Sequence, residues 1–482
     1  MVMNSKTIPI PIAIDGSRVE SMFQLEPKQK VYVRATSGWF SAWRWIMVWL
    51  TQLVFYGLPW VSWHGRQAVL FDLAQQRFFL FGLVLYPQDL IYLTLLMVLA
   101  ALALFFVTTV AGRIWCGFSC PQTVYTKLFV WVEHLTEGKP HARKALDSRT
   151  WDAEKLLRKG SKQALWLGIS LWTGFTFVGY FTPIQSLARA LPDLSMGPWD
   201  SFWVLFYGLF TYLNAGYLRE QVCKHMCPYA RFQSAMFDRD TLIIGYDSAR
   251  GDARGPRSRS IDHKAIGLGD CTDCTLCVQV CPTGIDIRDG LQSNCIGCAA
   301  CIDACDGVMD QMKYPRGLIR YSSLNGLTHG WSTSTLRQRM LRWRVLAYGL
   351  LLCLLTAALV IGLNHRSPFR LDVIRDRGVM ARTLHDGSIE NVYRLHLMNA
   401  TEQTQRYQVE AVGLAGLSMV SPVQVSLAPI EAKTMAVGVQ LPAKQAESQS
   451  GKTLQMQFRV SQVGDGDDGA QLLENTTFYV PR

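Results

Sequence analysis

No cysteine follows Cys353, so the carboxyl-terminal quarter of the chain holds no disulfide framework. Residues 1–41 lack the apolar core a cleavable signal peptide needs, and none is expected. No Ser-His-Asp set or pair of carboxylates stands out, which fits chemistry that requires no general acid or base. Basic residues are not interleaved with aromatics as on RNA-binding surfaces, so the net charge of +11 gives no reason to expect a nucleic-acid partner. What the sequence does have is hydrophobicity and clustered thiols. Its 482 residues suffice for about three domains, and 49% hydrophobic content with 15 Trp is high for a wholly aqueous protein.

Eight cysteines repeat one pattern, Cys-x2-Cys-x2-Cys-x3-Cys. The first copy is Cys271, Cys274, Cys277 and Cys281, followed by Pro282; the second is Cys295, Cys298, Cys301 and Cys305, with identical internal spacing. In the bacterial ferredoxin run, three thiolates hold three corners of one cubane and the fourth crosses to the other. The expected ligand sets are Cys271, Cys274, Cys277 with Cys305, and Cys295, Cys298, Cys301 with Cys281. A zinc ribbon uses two Cys-x2-Cys pairs and has no role for a third cysteine or for the duplication. Two [4Fe-4S] clusters are therefore expected. Asp306 stands where a proline would repeat Pro282, a departure that removes no ligand.

Five stretches, about 42–62, 88–111, 164–183, 199–219 and 344–363, are apolar for roughly the 20 residues a helix needs to span a hydrocarbon core. Trp, Tyr, Lys and Arg flank them as interfacial anchors. Phe78–Tyr86 is too short to span and is expected at the interface. The connection 112–163 carries Arg113, Lys127, Lys139, Arg143, Lys144, Arg149, Lys155, Arg158, Lys159 and Lys162, whereas 63–87 and 184–198 carry only Arg66, Arg77 and Arg189. By the positive-inside rule the basic connection is cytoplasmic, and with it the amino-terminal segment 1–41 and the region 223–342. The ferredoxin core, about 265–315, then lies in the cytoplasm, and the segment 365–482 after the fifth span (343–364) lies in the periplasm. Clustered cysteines fall on the reducing side. The run 250–259 (RGDARGPRSR) reads as a solvated linker, with contact to anionic membrane lipid as the sharper reading.

The four-helix region 42–222 contains one motif and ends at another. Arg113-Ile-Trp-Cys116-Gly-Phe-Ser-Cys120-Pro121 follows the second span; Arg219-Glu-Gln-Val-Cys223-Lys-His225-Met226-Cys227-Pro228 follows the fourth. Both read Cys-x3-Cys-Pro, and amphipathic segments follow, Thr123–His134 and Tyr229–Phe237. Proline suits the first turn of a helix, so each Cys-Pro is expected to open one, with helix dipoles and nearby cations lowering the thiol pKa. If the spans run antiparallel, Cys116, Cys120, Cys223 and Cys227 share one membrane face. Four such thiols suit a soft metal, Cu(I) above all, or redox-active disulfides. Spacing leaves open one site or two. His134, His225 and Met226 are auxiliary ligand candidates whose bland reading is interfacial or packing, and Cys353 reads as packing.

The tail alternates in Val392–Met398, Gln405–Val412, Val423–Leu427, Thr434–Val439 and Leu454–Val460, with turn residues between, which suits a small antiparallel sandwich. His385 and His396 read as surface or packing residues.

The order of spans, the two Cys-x3-Cys-Pro motifs, GDCTDCTLCVQVCPTGIDIRDGLQSNCIGCAACIDACD at 269–306, GLIRYSS at 317–323 and the β tail together resemble the cytochrome c oxidase accessory protein family (CcoG, FixG or RdxA) over nearly the whole chain. The resemblance implies an immunoglobulin-like tail. It also implies a role in assembling the cbb3-type heme–copper oxidase, with reduction of Cu(II) to Cu(I), and partners among oxidase assembly factors and copper-handling proteins.

The fold expected is thus a multi-domain membrane protein: a five-span helical bundle, a cytoplasmic bacterial-type ferredoxin of α+β class with two [4Fe-4S] clusters, and an immunoglobulin-like β-sandwich. The function expected is cupric reduction at Cys116, Cys120, Cys223 and Cys227, fed by a cytoplasmic reductant or a membrane quinol. Two alternatives predict other behaviour. A respiratory quinol dehydrogenase subunit would pass electrons to a periplasmic acceptor; a non-catalytic copper chaperone or scaffold would transfer copper without its clusters.

Overall fold

The computed structural model describes residues 31–375, 381–421, 423–463 and 470–482. Most of the expected amino-terminal segment, residues 1–30, lies outside the described residues. Following the chain, α1 (Trp39–Gly57) leads through a loop with a small three-stranded sheet, β1 (Val69–Asp72), β2 (Arg77–Leu80) and β3 (Leu83–Leu85), to α2 (Leu90–Ala111). Three short helices follow, α3 (Ile114–Phe118), α4 (Pro121–Glu137) and α5 (Pro140–Ser148), and then α6 (Ala153–Val178). The helix α7 (Pro198–Tyr212) runs on into a π-helical turn, Leu213–Leu218, and α8 (Pro228–Met236) ends the helical half.

Helices therefore occupy the apolar stretches. Two helical segments, Pro87–Ala111 and Trp343–Asn364, are by length and composition capable of crossing a membrane. The helix α6 starts well before the apolar stretch at 164, because Asp152 caps it, accepting from the Lys155 amide at 2.8 Å. Its first turns are charged but paired: Lys159 and Lys162 lie 3.0 and 2.9 Å from Glu137, a fully buried carboxylate.

The ferredoxin unit is closed by strands outside the expected core: β4 (Ile243–Tyr246) pairs antiparallel with β5 (Ile319–Ser322), and α9 (Ala300–Met312) packs beneath them. Ile244, Ile302, Met309, Leu318 and Ile319 form its core beside Cys271 and Cys277. The basic run 250–259 is not a solvated linker. Arg250 pairs with Asp270 at 2.5 Å and donates to the Arg316 carbonyl; Arg254 donates to the Arg288 carbonyl, and Arg257 to the Cys271 carbonyl. Such multi-donor guanidinium contacts pin the run onto the ferredoxin unit, which the charge count alone could not show.

The last helix, α10 (Trp343–Asn364), packs antiparallel on α2. The Tyr92 hydroxyl donates to the Gly362 carbonyl at one end (3.0 Å), and Arg342 donates to the Thr109 carbonyl at the other (2.7 Å). The ferredoxin unit stands at the Arg342 end and the β domain at the Gly362 end. Cys353 is exposed on α10 rather than packed within the chain.

In the tail β6 (Phe369–Arg375), β7 (Arg382–Thr383), β8 (Ile389–Asn399), β9 (Gln405–Val412), β10 (Ser418–Met419), β11 (Val423–Leu427), β12 (Ala432–Leu441), β13 (Thr453–Val463) and β14 (Gln471–Tyr479) form two antiparallel sheets. One has the order β10-β12-β8-β6, with β7 beside β8; the other is β11-β9-β13-β14. Alternation along the strands buries Phe369, Tyr393, Leu395, Tyr407, Phe458, Val460 and Phe478 between them. The segment 78–86, expected at the interface, supplies β2 and β3, whose Phe79 and Val84 pack with Tyr86 on Met398 of the β domain. Its apolar side chains are met by a partner from the far end of the chain.

Candidate functional site

The two cluster-binding loops are built alike. Thr275 and Ala299, each following the second cysteine of its copy, take left-handed backbone conformations (φ 57° and 59°) as the residues preceding the helix Leu276–Gln279 and α9. Asp273 and Gly297 are left-handed too, at φ 51° and 69°. A non-glycine residue pays for such a φ, and the same bend recurring in both copies marks a loop wrapped round a guest. Cys271, Cys274, Cys277 and Cys305 line one small cavity of about 20 Å³; Cys281, Cys295, Cys298 and Cys301 line a second of the same size, which Cys277 also reaches. Burial pushes the thiols of Cys277, Cys295 and Cys305 up to about 11, 12 and 12. Among the described residues no three His, Cys, Asp or Glu side chains close round a single ion. The donor set fits cubanes, whose ligands are spread over separated corners.

Each Cys-Pro opens a helix: Cys120 precedes α4 with Pro121 in its first turn, and Cys227 precedes α8 with Pro228 likewise. Long-range hydrogen bonds then bring the two motifs together. The Gln122 amide nitrogen donates to the carbonyls of Asn214 and Arg219 at 2.9 and 3.0 Å, clamping the π-helical turn before the second motif onto the helix after the first. Cys116 Sγ donates to Gln233 of α8 at 3.4 Å. Cys116, Cys120, Cys223 and Cys227 are close enough for their charges to act on one another. Burial pushes Cys116 up to about 11 and Cys223 up to about 12, neighbouring thiols add to this, and Arg113 opposes it. At the helix start Cys120 is pushed up as well, because loss of hydration outweighs the amide hydrogen bonds from Gln122 and Thr123.

The thiol site and the second loop are in contact. Gly117, the residue after Cys116, meets the Gly297 carbonyl and the Cys298 Cα so closely that a methyl there would lie 2.6 Å from that oxygen. Cys116 and Cys223 pack against a buried group containing Val280, Ile296, Cys298 and Ala300. Arg113 is buried between the parts, donating to the carbonyls of Ser293, Cys295 and Ala230. The Tyr321 hydroxyl donates to the Gly297 carbonyl at 2.7 Å. Asp303 of α9 accepts from the Phe40 and Ser41 amides at 3.2 and 2.7 Å, capping α1 from the ferredoxin side. His225 and Met226 are exposed; His134 is exposed and bonds the Gly138 carbonyl. Sequence reasoning missed Gln122, Gln233, Asp303, Tyr321 and the second role of Arg113. Only the place of Arg113 ahead of Cys116, echoed by Arg219 ahead of Cys223, was a signal.

Fold and site define a membrane-associated iron–sulfur redox protein with a carboxyl-terminal immunoglobulin-like domain. Family models match on all three counts: "4Fe-4S dicluster domain" over residues 218–324, "4Fe-4S binding domain" over 93–140, and an "IG-like fold at C-terminal of FixG" over 359–481. The chain is 39% identical over 402 residues to Protein RdxA of Cereibacter sphaeroides, covering 81% of this chain and 84% of that protein. It is 36% identical over 425 residues to the nitrogen fixation protein FixG of Rhizobium meliloti, covering 82% and 81%. The chain belongs to the FixG/RdxA family. A ferredoxin-type protein NapH of Haemophilus influenzae is 26% identical over 218 residues, 43% of this chain and 64% of that protein.

Proposed function

We propose that this protein reduces Cu(II) to Cu(I) at Cys116, Cys120, Cys223 and Cys227 for assembly of a cbb3-type cytochrome c oxidase. The chain would cross the bacterial cytoplasmic membrane five times, with the ferredoxin unit inside and the β domain in the periplasm. The observation that carries the reading is the seat of Gly117 on Gly297 and Cys298, which sets the thiol motif, with Cys116 and Cys223, against a cluster-binding loop.

In this reading Cys271, Cys274, Cys277 and Cys305 hold one [4Fe-4S] cluster, and Cys295, Cys298, Cys301 and Cys281 the other. Bound there, the clusters supply single electrons, and the cupric couple takes one. Copper is the substrate. The four thiols suit the softer Cu(I) and retain it until transfer. Arg113 fixes the spacing between loop and thiols by its three carbonyl contacts, and Gln122 holds the two motifs in register. No general acid is needed, since the thiols lose their protons, rather than gain them, as copper binds. Partners among oxidase assembly factors and copper-handling proteins follow from this reading alone.

The test is to mix reduced protein anaerobically with Cu(II) and follow cluster bleaching together with the absorbance of a Cu(I) chelator. A Cys116→Ser/Cys227→Ser variant with both clusters intact is the comparison. Electron-for-electron matching that the variant loses supports the reading. Clusters that stay reduced in copper refute it.

A further inference from the structure

A cavity of about 150 Å³ lies between α1, α4 and the ferredoxin unit. Its outer wall is aromatic and apolar: Trp45 of α1 and Trp131 and Val130 of α4 line it. The Trp45 and Trp131 rings meet edge to face at 6.2 Å, and Trp131 is 43% exposed. Tryptophans of this kind mark the boundary between lipid and water, and α4 begins shortly after α2, a helix able to cross a membrane, ends at Ala111. The inner wall is formed by Cys223, Pro282, Ile296 and Ala300. Pro282 follows Cys281, and Ala300 lies between Cys298 and Cys301, so the cavity ends against the second cluster loop.

Two cationic groups in the lining lack partners. Lys127 Nζ and Arg44 Nε are buried and have no hydrogen-bond acceptor among the described residues. Lys127 Nζ has only the Trp45 ring, 4.4 Å from its centroid. Two other lining cations, Arg143 and Arg219, are already answered by the buried Glu133 at 2.8 and 2.5 Å. Buried donors without acceptors are costly and call for an oxygen from outside the described chain. An apolar slot with a few convergent polar groups, open where aromatics face lipid and closed against a redox centre, fits a lipid-soluble ligand with oxygen acceptors on a flat ring.

We propose that this cavity binds a membrane quinol, with its ring between Trp45 and Val130 and one oxygen facing Lys127 and Arg44, and that the quinol is the electron donor. This rests on the electron-transfer reading of the ferredoxin unit and not on copper as acceptor. Oxidation breaks both quinol O–H bonds and leaves the quinone. Its two electrons would go to the two iron–sulfur clusters that the eight loop cysteines would hold, one to each. One proton passes to the Lys127 amine and the other to water at the exposed His134 rim. Burial, reinforced by Arg44, holds the Lys127 amine down at about 7, so a neutral acceptor is available near neutral pH. An anionic phospholipid headgroup would also meet the two cations, but it would not explain an inner wall made of cluster-loop residues.

The experiment uses the full chain in nanodiscs of zwitterionic lipid, with an azido derivative of decyl-ubiquinone as photolabel and mass mapping of the adduct. The expected result is labelling of peptides from 121–137 or 39–57, competed by unlabelled decyl-ubiquinone. Lys127→Met and the cavity-filling Val130→Trp should each weaken binding about tenfold or more, and two independent variants guard against misfolding of one. Decyl-ubiquinol added anaerobically should then reduce the iron–sulfur spectrum with one quinol consumed per two electrons. Labelling elsewhere, competition by anionic phospholipid instead of quinone, or binding without reduction overturns the proposal. Iron content measured on the same samples reports separately on the electron-transfer reading, and copper reduction by dithionite-reduced protein reports on the cupric reading.

Discussion

Gly117 rests against Gly297: a methyl on the first would stand 2.6 Å from the carbonyl oxygen of the second and 2.8 Å from the Cα of Cys298. Two glycines from segments far apart in sequence thus let a helix of the thiol motif touch a cluster loop backbone to backbone. Gly297 has a φ of 69°, which glycine adopts without strain.

Replacing Gly117 by Val should force these surfaces apart. Electron transfer slows as donor and acceptor move apart, so parting these surfaces lengthens the proposed path. The expected outcome is normal iron content and at least a tenfold slower appearance of Cu(I) in the anaerobic mixing experiment. Unchanged rates in an iron-replete variant would remove the contact from the proposed path.

Glu133 is the anchor of the thiol side, buried and paired with Arg143 at 2.8 Å and Arg219 at 2.5 Å. Burial alone would raise its pKa, but Arg219 and then Arg143 overcome this and hold the carboxyl below the usual range. Stability from this group is therefore present above the unfolded carboxylate pKa and lost as pH falls through the lower folded value. Glu133→Gln leaves two guanidinium groups short of charge, and breaking buried pairs of this kind costs about 3–5 kcal/mol. Thermal melts at neutral pH should show the loss, and melts in acid should bring wild type and variant together.

Asp89 joins the far end of α2 to the β domain. Its side chain, fully buried, accepts from Arg366 at 3.1 and 2.5 Å and from Arg370 at 2.6 Å. Asp89→Asn should loosen this junction and leave the ferredoxin unit untouched. Limited proteolysis is expected to cut near 365–368 at least several times faster, with the iron–sulfur spectrum unaltered. Equal cutting rates would show that the hydrophobic contact of Phe79 and Val84 with Met398 suffices.

The copper-site thiols should be quiet until metal arrives. With Cys116 pushed up to about 11 and Cys223 to about 12, about a thousandth of the first and about a ten-thousandth of the second is thiolate at pH 8, far below the fraction of a free cysteine. Iodoacetamide should modify both at least tenfold more slowly than free cysteine at that pH. Cu(I) uptake should release protons, measurable in weakly buffered solution, because thiolate is the ligand form. Fast alkylation, or uptake without proton release, would contradict the burial argument.

Sequence alone determined what depends on short-range geometry. The Cys-x2-Cys-x2-Cys-x3-Cys repeat needs only a short loop to state its chemistry, Cys-Pro starts a helix through the fixed φ of Pro121 and Pro228, and alternation marks strands such as Gln405–Val412. Apolar runs located five helices, since helix length and hydropathy are local properties. Tertiary structure decided everything that pairs distant segments. Spacing could not say that Gln122 would clamp the turn before Cys223, that Arg250 and Arg257 would fold onto the ferredoxin unit, or that Val84 would find Met398. The Cys120 thiol likewise lies above its usual pKa rather than below it, because hydration depends on which distant surfaces exclude water. A local pattern is enforced by bonded geometry between near neighbours in the chain. A contact such as that of Gly117 with Gly297 is chosen by the packing of the whole chain, and no single stretch of sequence carries it.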